Sequence, residues 1–114
     1  MDLFAGLPVT DLERAVEWYE RLLGAPPSFY PHDEEAVFAV VEHGYLYLEV
    51  LPDKAGKGFA TLFAEDLDDR LAAIAGRGLE PTSVETYDNG VRKAIFTDPD
   101  GNEVGLGGGP GPDA

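Results

Sequence analysis

No cysteine occurs in the 114 residues, so the chain has no disulfide framework, no thiolate metal site and no sulfur nucleophile. Basic residues are scarce too: eight Lys and Arg stand against 22 Asp and Glu, a formal net charge of −14. So acidic a chain repels phosphate backbones and anionic membranes, which argues against nucleic-acid or membrane partners and favours positively charged ligands. Solubility alone is the simpler account of that acidity. No apolar run approaches the ~20 residues of a membrane-crossing helix, and no basic segment leading into an apolar run opens the chain. With the missing cysteines, these absences predict a soluble, cytoplasmic protein. Imidazole is limited to His32 and His43. Both fall at strand ends or turns, where a histidine is ordinarily solvated.

What is present suffices for one globular domain. The apolar fraction of 44% and charged fraction of 26% are those of a folded protein, and a chain of this length buries roughly two thirds of its unfolded surface. The pattern predicts a strand over 2–9 and a helix whose apolar stripe is Leu12, Ala15, Val16, Tyr19, Leu22 and Leu23. Thr10 and Glu13 have capping-box spacing at its start, and Gly24 with Pro26 and Pro27 closes it. Trp18 lies at the edge of the stripe. Short strands follow over 28–32, bounded by proline, and 36–41, which turns through Glu42-His43-Gly44 into the next strand with Gly44 supplying any left-handed residue. Residues 52–57 read as a linker.

The pattern then repeats. A strand over 59–64, an N-cap at Asp66 and an apolar stripe of Leu67, Leu71, Ile74 and Ala75 echo the first half, with Asp11/Asp66, Leu12/Leu67 and Val16/Leu71 at one constant offset. Strands over 82–87, 91–97 and 103–107 follow, the last two joined by the turn Asp98-Pro99-Asp100-Gly101. The fold expected is α+β: a single domain over 1–107 made of two βαβββ modules, 2–51 and 58–107. Their mixed sheet would curve around a cleft, with helices on the outer face. The Gly/Pro-rich tail 108–114 is expected to be disordered.

The most unusual stretch is Tyr45-Leu46-Tyr47-Leu48-Glu49-Val50-Leu51. Alternation puts Leu46, Leu48 and Val50 on an apolar face, and Tyr45, Tyr47 and Glu49 on the other. Two phenols and a carboxylate in a row suit a metal, a cation or a wet rim. By the same alternation the cleft collects Phe4, Gly6, Tyr45, Tyr47, Glu49, Ala60, Leu62, Glu103 and Gly105; Arg92 and Lys93 beside the last hairpin offer either a partner for Glu49 in the cleft or ordinary exposed strand charges.

The doubled pattern, with Val-Thr-Asp-Leu-Glu-Arg-Ala-Val-Glu-Trp-Tyr-Glu-Arg-Leu-Leu-Gly early and Phe-Thr-Asp-Pro-Asp-Gly-Asn-Glu-Val-Gly-Leu late, resembles the vicinal oxygen chelate superfamily of glyoxalases, extradiol dioxygenases and bleomycin-resistance proteins. The resemblance covers about residues 2–107 and is specific for the fold rather than for an activity. It implies, in metal-using members, one ligand from each of the first, fourth, fifth and eighth strands, positions that fall here on Phe4, Glu49, Ala60 and Gly105. Glu49 alone among these is a ligand type, and one carboxylate does not hold a divalent ion. No metal and no other cofactor is therefore expected.

Two functions are weighed. The first is a metal-independent small-molecule binding protein, similar to the bleomycin-resistance branch, that sequesters a cationic or aromatic compound. Phe4, Tyr45, Tyr47, Glu49, Leu62 and Arg92 would form its ligand-binding set, and the resemblance implies a homodimer. The second is an enzyme with Glu49 as general base or as an unusual metal ligand. It lacks a group to stabilise the developing charge, so no catalytic residue is assigned under the first reading.

Overall fold

The computed structural model describes residues 1–110. Ten elements follow one another as β1 (Leu3–Val9), α1 (Leu12–Leu23), β2 (Phe29–His32), β3 (Glu35–Val41), β4 (Gly44–Val50), β5 (Phe59–Ala64), α2 (Leu67–Gly76), β6 (Ser83–Thr86), β7 (Arg92–Thr97) and β8 (Glu103–Gly108). They form the two βαβββ modules of an α+β fold. Each module is a four-stranded mixed sheet, of order β1-β4-β3-β2 in one and β5-β8-β7-β6 in the other. β1 runs parallel to β4 and β5 parallel to β8, because in each module the helix carries the chain back to the same end of the sheet; the remaining pairs are antiparallel. No helix among the described residues is long and apolar enough to cross a membrane.

One core joins the halves. Leu7, Val9, Ala36, Phe38 and Leu48 from the first sheet meet Ala94, Phe96, Val104 and Leu106 from the second, with Ala15, Tyr19 and Leu22 of α1 and Leu67 and Ile74 of α2. Each of the Leu, Ile, Val and Phe side chains among them contributes on the order of 1.5–3 kcal/mol against exposure. The alternation predicted for β4 and β8 holds: Leu46, Leu48, Val104 and Leu106 are buried.

Polar contacts fasten the modules where the core reaches the surface. The turn Asp98-Pro99-Asp100-Gly101 does more than reverse the chain. The Asp98 carboxylate accepts from the backbone amides of Asp100, Gly101 and Asn102 through Oδ1, and from Tyr19 Oη (2.8 Å) and Asn102 Nδ2 (2.9 Å) through Oδ2. Asn102, fully buried, also donates to the Pro8 carbonyl and accepts from the Gly58 amide. At the far end of α1, Arg77 donates to the carbonyls of Arg21 and Leu22 in its last turn, which have no intrahelical donors.

Several local expectations are corrected. The N-cap of α1 is Asp11, whose carboxylate accepts from the Arg14 amide (3.1 Å); Thr10 gives both its amide and its hydroxyl to Asp100 instead, so no Thr10/Glu13 capping box forms. Asp66 precedes α2 as expected, but its carboxylate takes the Arg70 guanidinium (2.7 Å) rather than a free amide. In the β3–β4 turn the left-handed residue is His43 (φ 60°), not Gly44, and its Nδ1 lies 2.9 Å from the Asp2 carboxylate. Gly44 is needed for space: a Cβ there would collide with Val41. Gly108, placed in the tail from sequence, belongs to β8, and residues 111–114 of that tail lie outside the described residues.

Candidate functional site

The faces of the sheets turned away from the core carry the candidate site. On the first sheet, parallel pairing sets Phe4 beside Tyr45, Gly6 beside Tyr47 and Pro8 beside Glu49. The rings of Phe4 and Tyr45 stack with centroids 4.6 Å apart and planes 15° from parallel. Tyr47 lies flat across β1, and only glycine permits it: a Cβ at position 6 would stand 2.5 Å from Tyr47 Cζ. Next to this patch is a shallow depression of about 170 Å³ lined by Gly6, Pro8, Tyr47, Glu49, Leu51 and Lys54. The structure thus brings together Phe4, Tyr45, Tyr47 and Glu49 as the alternation predicted.

Beyond Glu49 the face continues onto β3 and β2. Glu35 is the direct cross-strand partner of Glu49, and His32 faces Glu35 with Nε2 3.1 Å from Oε1. Among the described residues no Lys or Arg nitrogen approaches either carboxylate within 4.0 Å. Sequence reasoning left Glu35 and His32 out. Glu35 stands on β3 across a two-residue turn from β4, and the register slip between Ala39 and Val41 sets it opposite Glu49.

Leu62 and Arg92 are not on this face. Leu62 packs into the shared core beside Ile74 and Leu106. Arg92 shares the side of β7 that buries Ala94 and Phe96, and its guanidinium holds the Asp68 carboxylate of α2 at 2.7 Å, not that of Glu49. That guanidinium lowers the Asp68 pKa, by its hydrogen bond first and its charge second. β5 is also turned relative to the expectation. Thr61 pairs with Gly105 on the open side, with Phe59 and Phe63 exposed to either end, while Ala60 alternates to the other side. A second, smaller depression there joins Thr61, Lys93, Ile95, Glu103 and Gly105.

Of the four positions that the resemblance implies for a metal, Phe4, Glu49, Ala60 and Gly105, only Glu49 carries a ligand side chain, and Ala60 alternates away from the open side. This set does not fit a divalent ion, which needs about three good protein donors even at an open site.

The family model for the Glyoxalase/Bleomycin resistance protein/Dioxygenase superfamily matches residues 3–106. By sequence the chain matches none of the curated proteins. Among solved structures it is similar to a glyoxalase/bleomycin resistance protein from Catenulispora acidiphila DSM 44928, at 47% identity and a TM-score of 0.92 over 96% of this chain and 99% of that one. It is similar also to TnmS3, an antibiotic binding protein from Streptomyces sp. CB03234 (26% identity, TM-score 0.73, 96% and 95% covered). The lactoylglutathione lyase of Agrobacterium tumefaciens shares the fold (18% identity, TM-score 0.79, 96% and 93% covered).

Proposed function

The chain belongs to the Glyoxalase/Bleomycin resistance protein/Dioxygenase superfamily, and from that premise we propose that it is a metal-independent small-molecule binding protein that takes a flat aromatic cation on the open face of its first sheet. The observation that carries this reading is Tyr47 laid over Gly6, on the same open face as the Phe4–Tyr45 stack and Glu49. An aromatic ring attracts a cation by about 0.5–2 kcal/mol, and a carboxylate without a basic partner takes the positive group at one end. The net charge of −14 speeds capture. The likeness to an antibiotic binding protein supports sequestration as the purpose.

A homodimer completes the proposal. β1 and β5 are each an edge strand of their sheet, as β2 and β6 are at the other side, and they expose large apolar side chains, Leu3 and Phe4 on one and Phe59 and Phe63 on the other. Exposed apolar edges of this kind are covered in stable proteins. A partner there would close the aromatic face from the side. Light scattering behind a sizing column tests this: a dimer is expected, and a monomer at all concentrations counts against it.

The binding reading is tested by calorimetric titration with proflavine, a planar aromatic cation, in chelator-treated buffer. Saturable binding is expected, weakened about tenfold by Glu49→Gln, the loss of one charge-assisted contact. No binding, or equal binding by that variant, defeats it. The alternative, base catalysis by Glu49, draws support from Lys54, which borders the same depression and offers a cation for a developing negative charge. It requires proton exchange at an acidic carbon of a bound compound, lost in both Glu49→Gln and Lys54→Met.

A further inference from the structure

Three side chains, of which only Glu49 falls at a family metal position, meet at the acid end of the open face. His32, Glu35 and Glu49 stand on the adjacent strands β2, β3 and β4, and one donor atom of each lies within 4.8 Å of the others. A bulge brings the imidazole there. Phe29 pairs with Val37 but His32 pairs with Glu35, so the register slips by one residue between them. In a regular strand, residues three apart point to opposite faces; the slip puts both on the open one. The result is a pair of directly opposed carboxylates, an arrangement that is unfavourable unless a cation sits between them, with an imidazole alongside.

We propose that His32, Glu35 and Glu49 bind a divalent first-row transition-metal ion, through Nε2 and one oxygen of each carboxylate. One imidazole and two carboxylates is a mixed nitrogen and oxygen donor set that such ions accept, and three protein ligands leave the remaining positions to water or a ligand. Donors at about 2.0–2.2 Å from a tetrahedral ion stand roughly 3.3–3.6 Å apart. The 3.1 Å between His32 and Glu35 and the 4.8 Å limit on the set are reached from there by small side-chain rotations. The imidazole is 51% exposed and the Glu35 side chain 19%, so an ion enters without unfolding. His32 Nδ1 now accepts the Glu34 amide at 3.1 Å, which places the ring proton on Nε2. Ligation moves that proton to Nδ1 and releases an exposed amide to water.

Two of these ligands come from β2 and β3, strands that contribute nothing to the positions tested above. The proposal goes beyond the binding function and does not depend on it. The ion and an aromatic cation compete for Glu49, while the rings of Phe4, Tyr45 and Tyr47 stay available to either ligand.

The test uses tag-free full-length protein stripped with chelator and then desalted, titrated with CoCl2 by visible absorption and with ZnCl2 by calorimetry. One equivalent per chain is expected, with a ligand-field band for Co²⁺ and, in ¹⁵N spectra with Zn²⁺, a shift at His32 Nε2 but not at either nitrogen of His43. His32→Ala and Glu35→Gln should each weaken binding by about tenfold or more, while His43→Asn, which removes the other imidazole, leaves it unchanged; circular dichroism confirms that each variant is folded. Absence of binding overturns the proposal. So does uptake that is weak, exceeds one equivalent and is indifferent to His32→Ala, the signature of a generally acidic surface. Because the proflavine titration is done without metal, either result leaves the binding function to stand or fall by itself.

Discussion

The hydroxyl of Tyr19, in the helix of the first module, donates to Asp98 Oδ2 in the last turn of the second across 2.8 Å, and the bond is buried. Burial first and the Asp98 charge second raise the Tyr19 pKa far above its ordinary value of 10. A raised folded-state pKa means that this contribution to stability is complete below the unfolded value of about 10 and declines as pH rises beyond it, where the unfolded chain ionises and the folded one does not. Tyr19→Phe should cost about 1–2 kcal/mol at neutral pH, since Asp98 Oδ2 keeps Asn102 as donor. It should also flatten the alkaline loss of stability. Urea denaturation of both proteins between pH 7 and 11 measures both effects.

Asn102 should matter more than the Tyr19 hydroxyl. Replacing it with alanine leaves the Pro8 carbonyl and the Gly58 amide without their partner in a partly buried setting, at a cost of about 2–4 kcal/mol. Chemical denaturation is expected to show one cooperative transition shifted to lower denaturant; a separate early transition would mean that the modules unfold independently.

Gly6→Ala separates binding from folding. The added methyl occupies the space of the Tyr47 ring, which must swing off β1 into solvent. Proflavine affinity should fall about tenfold or more as the aromatic surface is broken, with a smaller loss in melting temperature than Asn102→Ala produces. Unchanged affinity would show that the ligand does not rest on Tyr47.

Arg92 gives the opposite contrast. It holds Asp68 on the helix side, so Arg92→Ala should leave proflavine binding unchanged. The lowered Asp68 pKa places a stabilising contribution above the unfolded carboxylate pKa, lost as pH falls through the folded one. The variant should therefore lack part of the acid-induced destabilisation seen in the parent below about pH 4.

Much of this was legible from residue order, and the misreadings have physical causes. β4 was read correctly because one of its faces is purely aliphatic. β5 carries apolar side chains on both faces, so alternation alone did not orient it. The repeat would have done so: the offset that pairs Asp11 with Asp66 sets Gly6 against Thr61, not Ala60. Arg92 is two residues from Ala94 and four from Phe96, and so shares their side. Its charge suggested the solvent side, but it stands at the strand end, where Asp68 meets it. Thr10 fits a capping box on spacing, yet its true partner is 90 residues away. No local pattern announces such a contact. The bulge that turns His32 onto the face of Glu35 is equally silent, apart from Pro31 within β2.

The guanidinium of Arg77 terminates a helix in the other half of the chain, and the last turn of the second half seats Tyr19 of the first. The two halves repeat a pattern without repeating their fastenings. Each half supplies contacts that the other does not reproduce, so two copies of one half would not substitute for the pair. The two halves thus divide the labour of fastening the fold: separately expressed halves should stay largely unfolded alone and gain structure only when mixed.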